Sequence, residues 1–302
     1  MKKIVVIGSL NMDCVIETPH MPNPGETVSG RRVTLIPGGK GANQAYAAGI
    51  LGGNVSMIGA VGADSFGEAL RSNLAHAGVD ISSLSVIENE PTGQAFITVD
   101  DHGENSIIII AGTNGLVTKE VVEKYRGQIE DSDIVIMQLE IPLETVQYVK
   151  NLAVELGKMV ILDPAPAVWD LPDGFFENID YIKPNETELQ ILTGKKLETE
   201  EELADGAREM LAKGVKQVIV SLGDKGCLLV SPEKEKFFPA NKVKAVDTTA
   251  AGDSFTAAFA LALSEGKSCE EAICFGQKVS SIVVTRKGAQ TSIPMREEVE
   301  RL

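Results

Sequence analysis

The sequence predicts an α/β sandwich built on a largely parallel sheet, with a second, small β-sheet projecting from it. Three observations carry that expectation. Short apolar runs of strand length recur between segments of helical pattern. The first of them, Ile4-Val5-Val6-Ile7, shows no polar alternation, as expected of a strand covered on both faces. Two further stretches have strand chemistry but few helices nearby to cover them. In such a sandwich, binding residues belong at the C-terminal ends of the parallel strands.

Taken in order, Lys3–Ile7 is a strand ended by Gly8. The Gly8-Ser-Leu-Asn11-Met-Asp13 stretch after it lacks GxGxxG, so a dinucleotide fingerprint is absent. Cys14–Glu17 and Thr27–Ile36 read as strands around the loop Thr18–Glu26. Thr92–Val99 and Ser106–Ala111 read as a hairpin across Asp100–Asn105. Together these form the expected projecting sheet. Further strands are expected over Val55–Ala60, Ile134–Leu139, Met159–Leu162, Tyr181–Lys183, Gln217–Ser221 and Gly226–Val230, with a strand-like run at Val243–Val246. Helices are expected to begin at Ala42, Ser65, Thr118, Leu143, Glu186, Thr199, Asp253 and Cys269. No internal repeat, low-complexity tract or linker is visible. The small sheet is therefore read as insertions, at about 11–36 and 92–111, in one domain spanning 1–302.

The 302 residues are 43% hydrophobic and 24% charged, the balance of a soluble globular protein. A net charge of −15 argues against nucleic acid or an anionic membrane surface as partner. Cys14, Cys227, Cys269 and Cys274 form no CxxC pair, and His20, His76 and His102 are the only histidines. A zinc site or disulfide framework is not expected, and free thiols suit a reducing cytoplasm. No apolar run is long enough for a signal segment or a membrane span.

The stretch Val246–Phe255 organises the chemistry. Small residues feed the apolar helix Phe255–Leu263, closed by Gly266, so N–H groups at the positive end of a helix dipole face outward as an anion site. Asp253 lies in the first turn, where the dipole favours its ionised form. An ordinary helix start, with Thr248 or Thr249 as side-chain cap, fits the same letters. Pro37-Gly-Gly-Lys-Gly-Ala-Asn-Gln44 is a glycine-rich turn into the helix Ala42–Leu51. It is no P-loop, because Thr34 and Gly41 stand where Gly and Ser or Thr are needed. Three glycines in four positions let backbone approach a small ligand closely, and Asn43 offers both donor and acceptor. Asn11 and Asp13 share one side of an extended chain, and Glu140 ends a strand; both places suit a polyhydroxy ligand or an ordinary turn. Asn185 and Glu188 read as a capping box or as groups beside phosphate and hydrated Mg²⁺. Ser221–Gly226 reads as a hairpin whose N–H groups and Lys225 can meet phosphate.

Taken together, Gly38–Gln44, Pro184–Glu188 and Asp247–Asp253 resemble, in order and spacing, the PfkB/ribokinase family of sugar kinases. Asn11-Met-Asp13, Pro24–Thr27, Met137–Glu140 and Val284–Gln290 extend the resemblance over essentially the whole chain, nearest to the ribose-phosphorylating members. It implies a Rossmann-like three-layer α/β/α body with a β lid that doubles as a homodimer interface. It implies phosphorylation of D-ribose at the 5-hydroxyl by ATP, with kinases of fructose, deoxyribose or a nucleoside, or a non-catalytic sugar binder, as alternatives. Asp253 takes the place of the proton acceptor, and Ala250, Ala251 and Gly252 join it in the anion hole. Sugar contacts carry over to Asn11, Asp13, Gly39, Lys40, Gly41, Asn43, Glu140 and Asp253. Nucleotide contacts carry over to Asn185, Ser221, Gly223, Asp224, Gly226, Gly252 and Gln277, the last where these kinases often have His. A K⁺ shell is implied at Asp247, Thr249, Val283, Arg286, Gly288 and Ser292, and Glu188 would help place Mg²⁺ through water.

Overall fold

The run Ile4–Ile7 forms strand β1, and none of its four side chains is exposed. Alternation along it divides the core: Ile4 and Val6 belong to one apolar cluster, Val5 and Ile7 to another on the opposite face. The computed structural model describes Met1–Arg301. The remaining strands are β2 (Asn11–Glu17), β3 (Arg32–Gly38), β4 (Val55–Gly62), β5 (Leu84–Ile87), β6 (Gly93–Val99) and β7 (Asn105–Ile110). They continue with β8 (Ile134–Met137), β9 (Met159–Leu162), β10 (Tyr181–Ile182), β11 (Gln217–Ser221), β12 (Gly226–Val230) and β13 (Glu235–Pro239).

Nine strands form the main sheet, in the order β13-β12-β11-β10-β9-β8-β1-β4-β5. It is parallel except at one edge, where β12 runs antiparallel to both β11 and β13. Helices α1 (Lys40–Ile50), α2 (Ser65–His76), α8 (Ala251–Ser264), α9 (Cys269–Val283) and α10 (Arg296–Glu300) bury apolar residues in the Ile4/Val6 cluster. Helices α3 (Lys119–Glu123), α4 (Arg126–Glu130), α5 (Leu143–Glu155), α6 (Glu186–Thr193) and α7 (Glu200–Ala212) do so in the Val5/Ile7 cluster. The result is the expected helix–sheet–helix sandwich.

From β1 the chain builds β4 and β5 on one side, then returns to place β8 on the other. That reversal opens a crevice at the strand C-termini. A second, four-stranded sheet has the order β3-β2-β6-β7: two antiparallel hairpins joined by a parallel β2–β6 contact.

Several expectations are corrected. Thr27–Arg31 is not strand, because β2 ends at Glu17 and its last partner is Arg32. Val243–Val246 is irregular: no strand lies beside it, and the Val246 and Asp247 N–H groups both donate to Val284 O (2.7 and 3.2 Å). The strands β5 and β13 were not expected; both are sheet edges, the first only four residues long and broken by Ser85, the second opening on Glu235-Lys236 and closing on Pro239. Helices α1 and α8 begin at Lys40 and Ala251, two residues before the expected starts at Ala42 and Asp253.

Candidate active site

The N-terminus of α8 is built without a side-chain cap. Ala250 occupies the N-cap position with φ 59°, a left-handed conformation that few residues other than glycine adopt. Thr248 does not cap it, and Thr249 turns away: its N–H and Oγ1 donate to Asp247 Oδ1 (2.9 and 2.6 Å). The Ala251 N–H donates to Thr248 O at 3.2 Å. Among the described residues, the N–H groups of Gly252 and Asp253 meet no protein acceptor, and they stand at the positive end of a fourteen-residue helix. The side-chain cap of an ordinary helix start is therefore absent, and both residues line a cleft.

Asp253 is only 7% exposed, and each of its oxygens is held. Asn43 Nδ2 donates to Oδ2 at 2.8 Å, and Gln44 Nε2 donates to Oδ1 at 3.2 Å. Gln44 Nε2 also donates to Asp163 Oδ2 (2.9 Å), while its own Oε1 accepts from Gln138 Nε2 (2.6 Å). Asp163 further accepts from Thr256 Oγ1 at 3.2 Å and lies 3.5 Å from the Lys183 ammonium, both charges almost wholly buried. Sequence reasoning passed over Asp163, Lys183, Gln44, Gln138 and Thr256 as site residues. Asp163 follows β9 as Glu140 follows β8, so its position at a strand C-terminus was the available signal.

On the side of the four-stranded sheet, Asn11 Oδ1 accepts from Asn114 Nδ2 at 2.7 Å, which fixes its amide. Asp13 sits one pleat further on the same side of β2, against Gly38, where any Cβ would lie 2.1 Å from Asp13 Oδ2. Burial, and then the charges of Glu140 and Asp253, raise the Asp13 carboxyl to about 7. Burial also raises Glu140, whose Oε2 accepts from Ser9 Oγ (2.5 Å) and from the Lys40 N–H (3.0 Å). Burial alone would lower the Lys40 ammonium, but Asp253, Asp163, Glu140 and Glu188 outweigh it and hold it above its usual value. Gly39 has φ 86°, and a Cβ on Gly41 would meet Ser9 N at 2.6 Å. The glycines thus bring α1 against the end of β1.

From Asp253 a cleft of about 880 Å³ runs along the C-terminal ends of β10 and β11. Asn185, Ser221, Gly223, Asp224, Gly226, Gly252 and Gln277 all line it, with Glu188 and Lys183. The capping-box reading of Asn185 and Glu188 holds too: Glu188 N donates to Asn185 Oδ1 (2.7 Å) and Asn185 N to Glu188 Oε2 (2.8 Å). Burial raises Glu188. Gln277 Nε2 donates to Phe238 O at 3.0 Å, which leaves its oxygen for the cleft. Val243, Ala245, Cys227, Phe255 and Val284 give that half of the cleft an apolar wall.

Asp247 and Thr249 precede α8, Val283 ends α9, and Arg286, Gly288 and Ser292 follow it; none of them lines the cleft. Asp247 Oδ2 accepts from the Gly288 N–H at 2.9 Å, tying the two segments together. Burial opposes ionisation of Asp247, but Thr249 and the Gly288 N–H outweigh it and lower its carboxyl. Ser292 Oγ donates to Ala289 O (2.6 Å). No cluster of His, Cys, Asp and Glu able to hold a metal occurs among the described residues. No described helix is long and apolar enough to cross a membrane.

A carboxylate held between an open-amide anion site and a pocket of fixed polar groups is the equipment for phosphorylating an alcohol. The family model described as pfkB family carbohydrate kinase matches residues 1–296. The chain belongs to the pfkB family of carbohydrate kinases. Among relatives of this carbohydrate kinase, the ribokinase of Haemophilus influenzae is 43% identical, covering 98% of this chain and 97% of its own. The deoxyribokinase of Salmonella typhimurium is 36% identical, covering 98% and 96%. The structure of Arabidopsis thaliana ribokinase complexed with ribose and ATP superposes with a TM-score of 0.92 at 36% identity, over 99% and 98% of the two chains.

Proposed function

We propose that this enzyme transfers the γ-phosphoryl group of ATP to the 5-hydroxyl of D-ribose, giving D-ribose 5-phosphate and ADP. The observation that carries the reading is the place of Asp253, where the cleft meets the Asp13–Glu140 pocket, beside the open N–H groups of Gly252 and Asp253. Ribose as the acceptor is supported by full-length similarity to ribokinases, one of them complexed with ribose and ATP.

Asn11, Asp13, Asn43 and the amide of Gly39 would hold the sugar hydroxyls, with Glu140 fixing the Lys40 backbone and Ser9 Oγ accepting from the Gly41 N–H. Asp253, steadied by Asn43 and Gln44, would orient the 5-hydroxyl and take its proton late in the transfer. The transition state is loose, so charge stabilisation dominates, supplied by the Gly252 and Asp253 N–H groups and the Lys40 ammonium. Asn185, Ser221, Gly223, Asp224 and Gly226 would hold the phosphates and ribose of ATP, and Gln277 would face the base.

The cleft walls carry five carboxylates (Asp163, Glu186, Glu188, Asp224, Asp253) against three ammonium groups (Lys40, Lys183, Lys242). This excess of negative charge, offered entirely by oxygen, fits Mg²⁺, which Asn185 and Glu188 would hold through water. When bound, it would offset the charge of the β- and γ-phosphates. The oxygens of Asp247, Thr249, Val283, Arg286, Gly288 and Ser292 likewise suit K⁺ on the two tied segments.

The four-stranded sheet would close over the sugar as a lid and pair with that of a second copy. Val33, Leu35, Phe96 and Ile107–Ile110 leave it broadly apolar and exposed. Four free cysteines suit the cytoplasm.

A coupled ADP-release assay over a sugar panel tests the assignment. Turnover should be best with D-ribose; a better rate with deoxyribose, fructose or a nucleoside would move the substrate, and none with any sugar would remove the kinase reading.

A further inference from the structure

Asn43 sits between two groups that fix which way its amide faces. On one side is Asp253, whose ionised oxygens only accept, so the Asn43 NH₂ faces it at 2.8 Å. The Asn43 carbonyl oxygen must then face the other way, where Gln290 Nε2 donates to it at 3.0 Å. Gln290 therefore spends its NH₂ on Asn43 and turns its own oxygen to the Asn73 amide, which donates to it. The polarity of every link follows from the carboxylate outward. Asn43, Gln290 and Asp253 are 6%, 2% and 7% exposed, so water offers little competition.

From this chain we infer that Gln290 is a positioning residue for the phosphoryl transfer. It locks the Asn43 amide with its NH₂ toward Asp253 and thereby holds the carboxylate in the attitude that meets the sugar hydroxyl. Gln290 belongs to the short helical turn Gln290–Ser292 that follows α9, remote from the glycine-rich turn and from α8 in sequence. Without its donor, the Asn43 amide has no reason to prefer one orientation, and a flipped amide places oxygen against the Asp253 oxygen. A glutamate at this position would be worse than an apolar residue, because it offers only acceptors and would draw the Asn43 NH₂ away from Asp253. The inference rests on Asp253 being the proton acceptor, so its test must separate the two.

The test is a double-mutant cycle of Gln290→Leu with Asn43→Ala, with Gln290→Glu and Asn73→Ala as companions. Steady-state kinetics with D-ribose and ATP are expected to show kcat/KM lower by about tenfold to fiftyfold in Q290L and lower still in Q290E. Asn73→Ala, at a half-buried surface position, should lose only about twofold to fivefold and keeps the test alive if Q290L fails to fold. In the N43A background, Q290L should change kcat/KM by less than about twofold, since the residue acts through Asn43. Multiplying losses would mean a general packing role and overturn the inference, as would an unchanged kcat/KM in Q290L. Exchange of the Asn43 side-chain NH₂ protons, followed by NMR, reads the same contact without turnover: slow in the unaltered protein, faster in Q290L and N73A. If the unaltered protein fails to phosphorylate any sugar, the assigned reaction falls. The exchange measurement then decides the positioning role alone, and equal exchange in the variants would reject it.

Discussion

Asn43 of α1 and Asp253 of α8, 210 residues apart in the chain, share a 2.8 Å hydrogen bond that joins the glycine-rich turn to the anion site. Neither segment makes a site alone. The first brings backbone and amide groups to a pocket, and the second brings a carboxylate to the foot of an uncapped helix.

Asp13 gives the pocket a pH dependence. Its carboxyl is raised to about 7, so the folded protein binds a proton that the unfolded chain, near the ordinary 3.8, has lost. Stability therefore falls as pH rises from about 4 to about 7, and above 7 a buried charge is carried in full. Asp13→Asn should raise Tm relative to the parent at pH 8, by a gain that shrinks toward pH 5. Sugar hydroxyls need an acceptor here, so D-ribose affinity of the parent should rise through pH 7 and that break should vanish in D13N. Calorimetric titrations from pH 5.5 to 8.5 would show it; a flat profile would contradict the assignment.

Ala250 holds φ 59° at the helix start. A left-handed conformation costs an alanine about 1–2 kcal/mol, while a glycine loses about 0.5–1 kcal/mol more chain entropy on folding. Ala250→Gly should therefore remain active, with stability within about 1 kcal/mol of the parent. Ala250→Val, β-branched at positive φ, should lose activity by more than tenfold as the Gly252 and Asp253 amides shift. Urea unfolding and kcat together check both.

Lys183 and Asp163 form a buried ion pair at 3.5 Å, 7% and 3% exposed. Removing one partner of such a pair typically costs about 3–5 kcal/mol, because the other charge is left uncompensated. Lys40 also lies close to Asp163, so Lys183→Met should fall at the lower end of that range and should raise the KM for ATP. An unchanged urea midpoint would mean the pair carries no weight.

Asp247 ties Thr249 to Gly288 through both of its oxygens. Exchange of K⁺ for Na⁺ should lower kcat several-fold in the parent, and Asp247→Ala should be slow in either salt. Equal rates in both salts for the parent would remove K⁺ from the account.

Much of this was legible in the letters. Strands of uniform apolar character, such as Ile4–Ile7, were recognised with their bounds within one or two residues. Glycine and asparagine motifs pointed to the helix starts that hold Asn43, Asn185 and Asp253, because local chemistry dictates those turns. The buried partners were not legible. Asp163, Gln44 and Gln290 take their roles only through contacts 90 or more residues away, and Lys183 takes its role through buried Asp163, so neighbouring residues do not reveal these partners even where a motif contains them. The strand expectation at Val243–Val246 failed for the complementary reason: β-branched residues form a strand only with a neighbour to pair with, and here Val243 and Ala245 line the cleft instead.

The most direct test of the central claim is single-turnover phosphoryl transfer by Asp253→Asn at saturating D-ribose and ATP, followed by rapid quench. An amide keeps the size of the side chain but cannot take the proton, so the rate should fall by about 10²–10⁴-fold while ATP still binds. A transfer rate equal to the parent's would contradict the account.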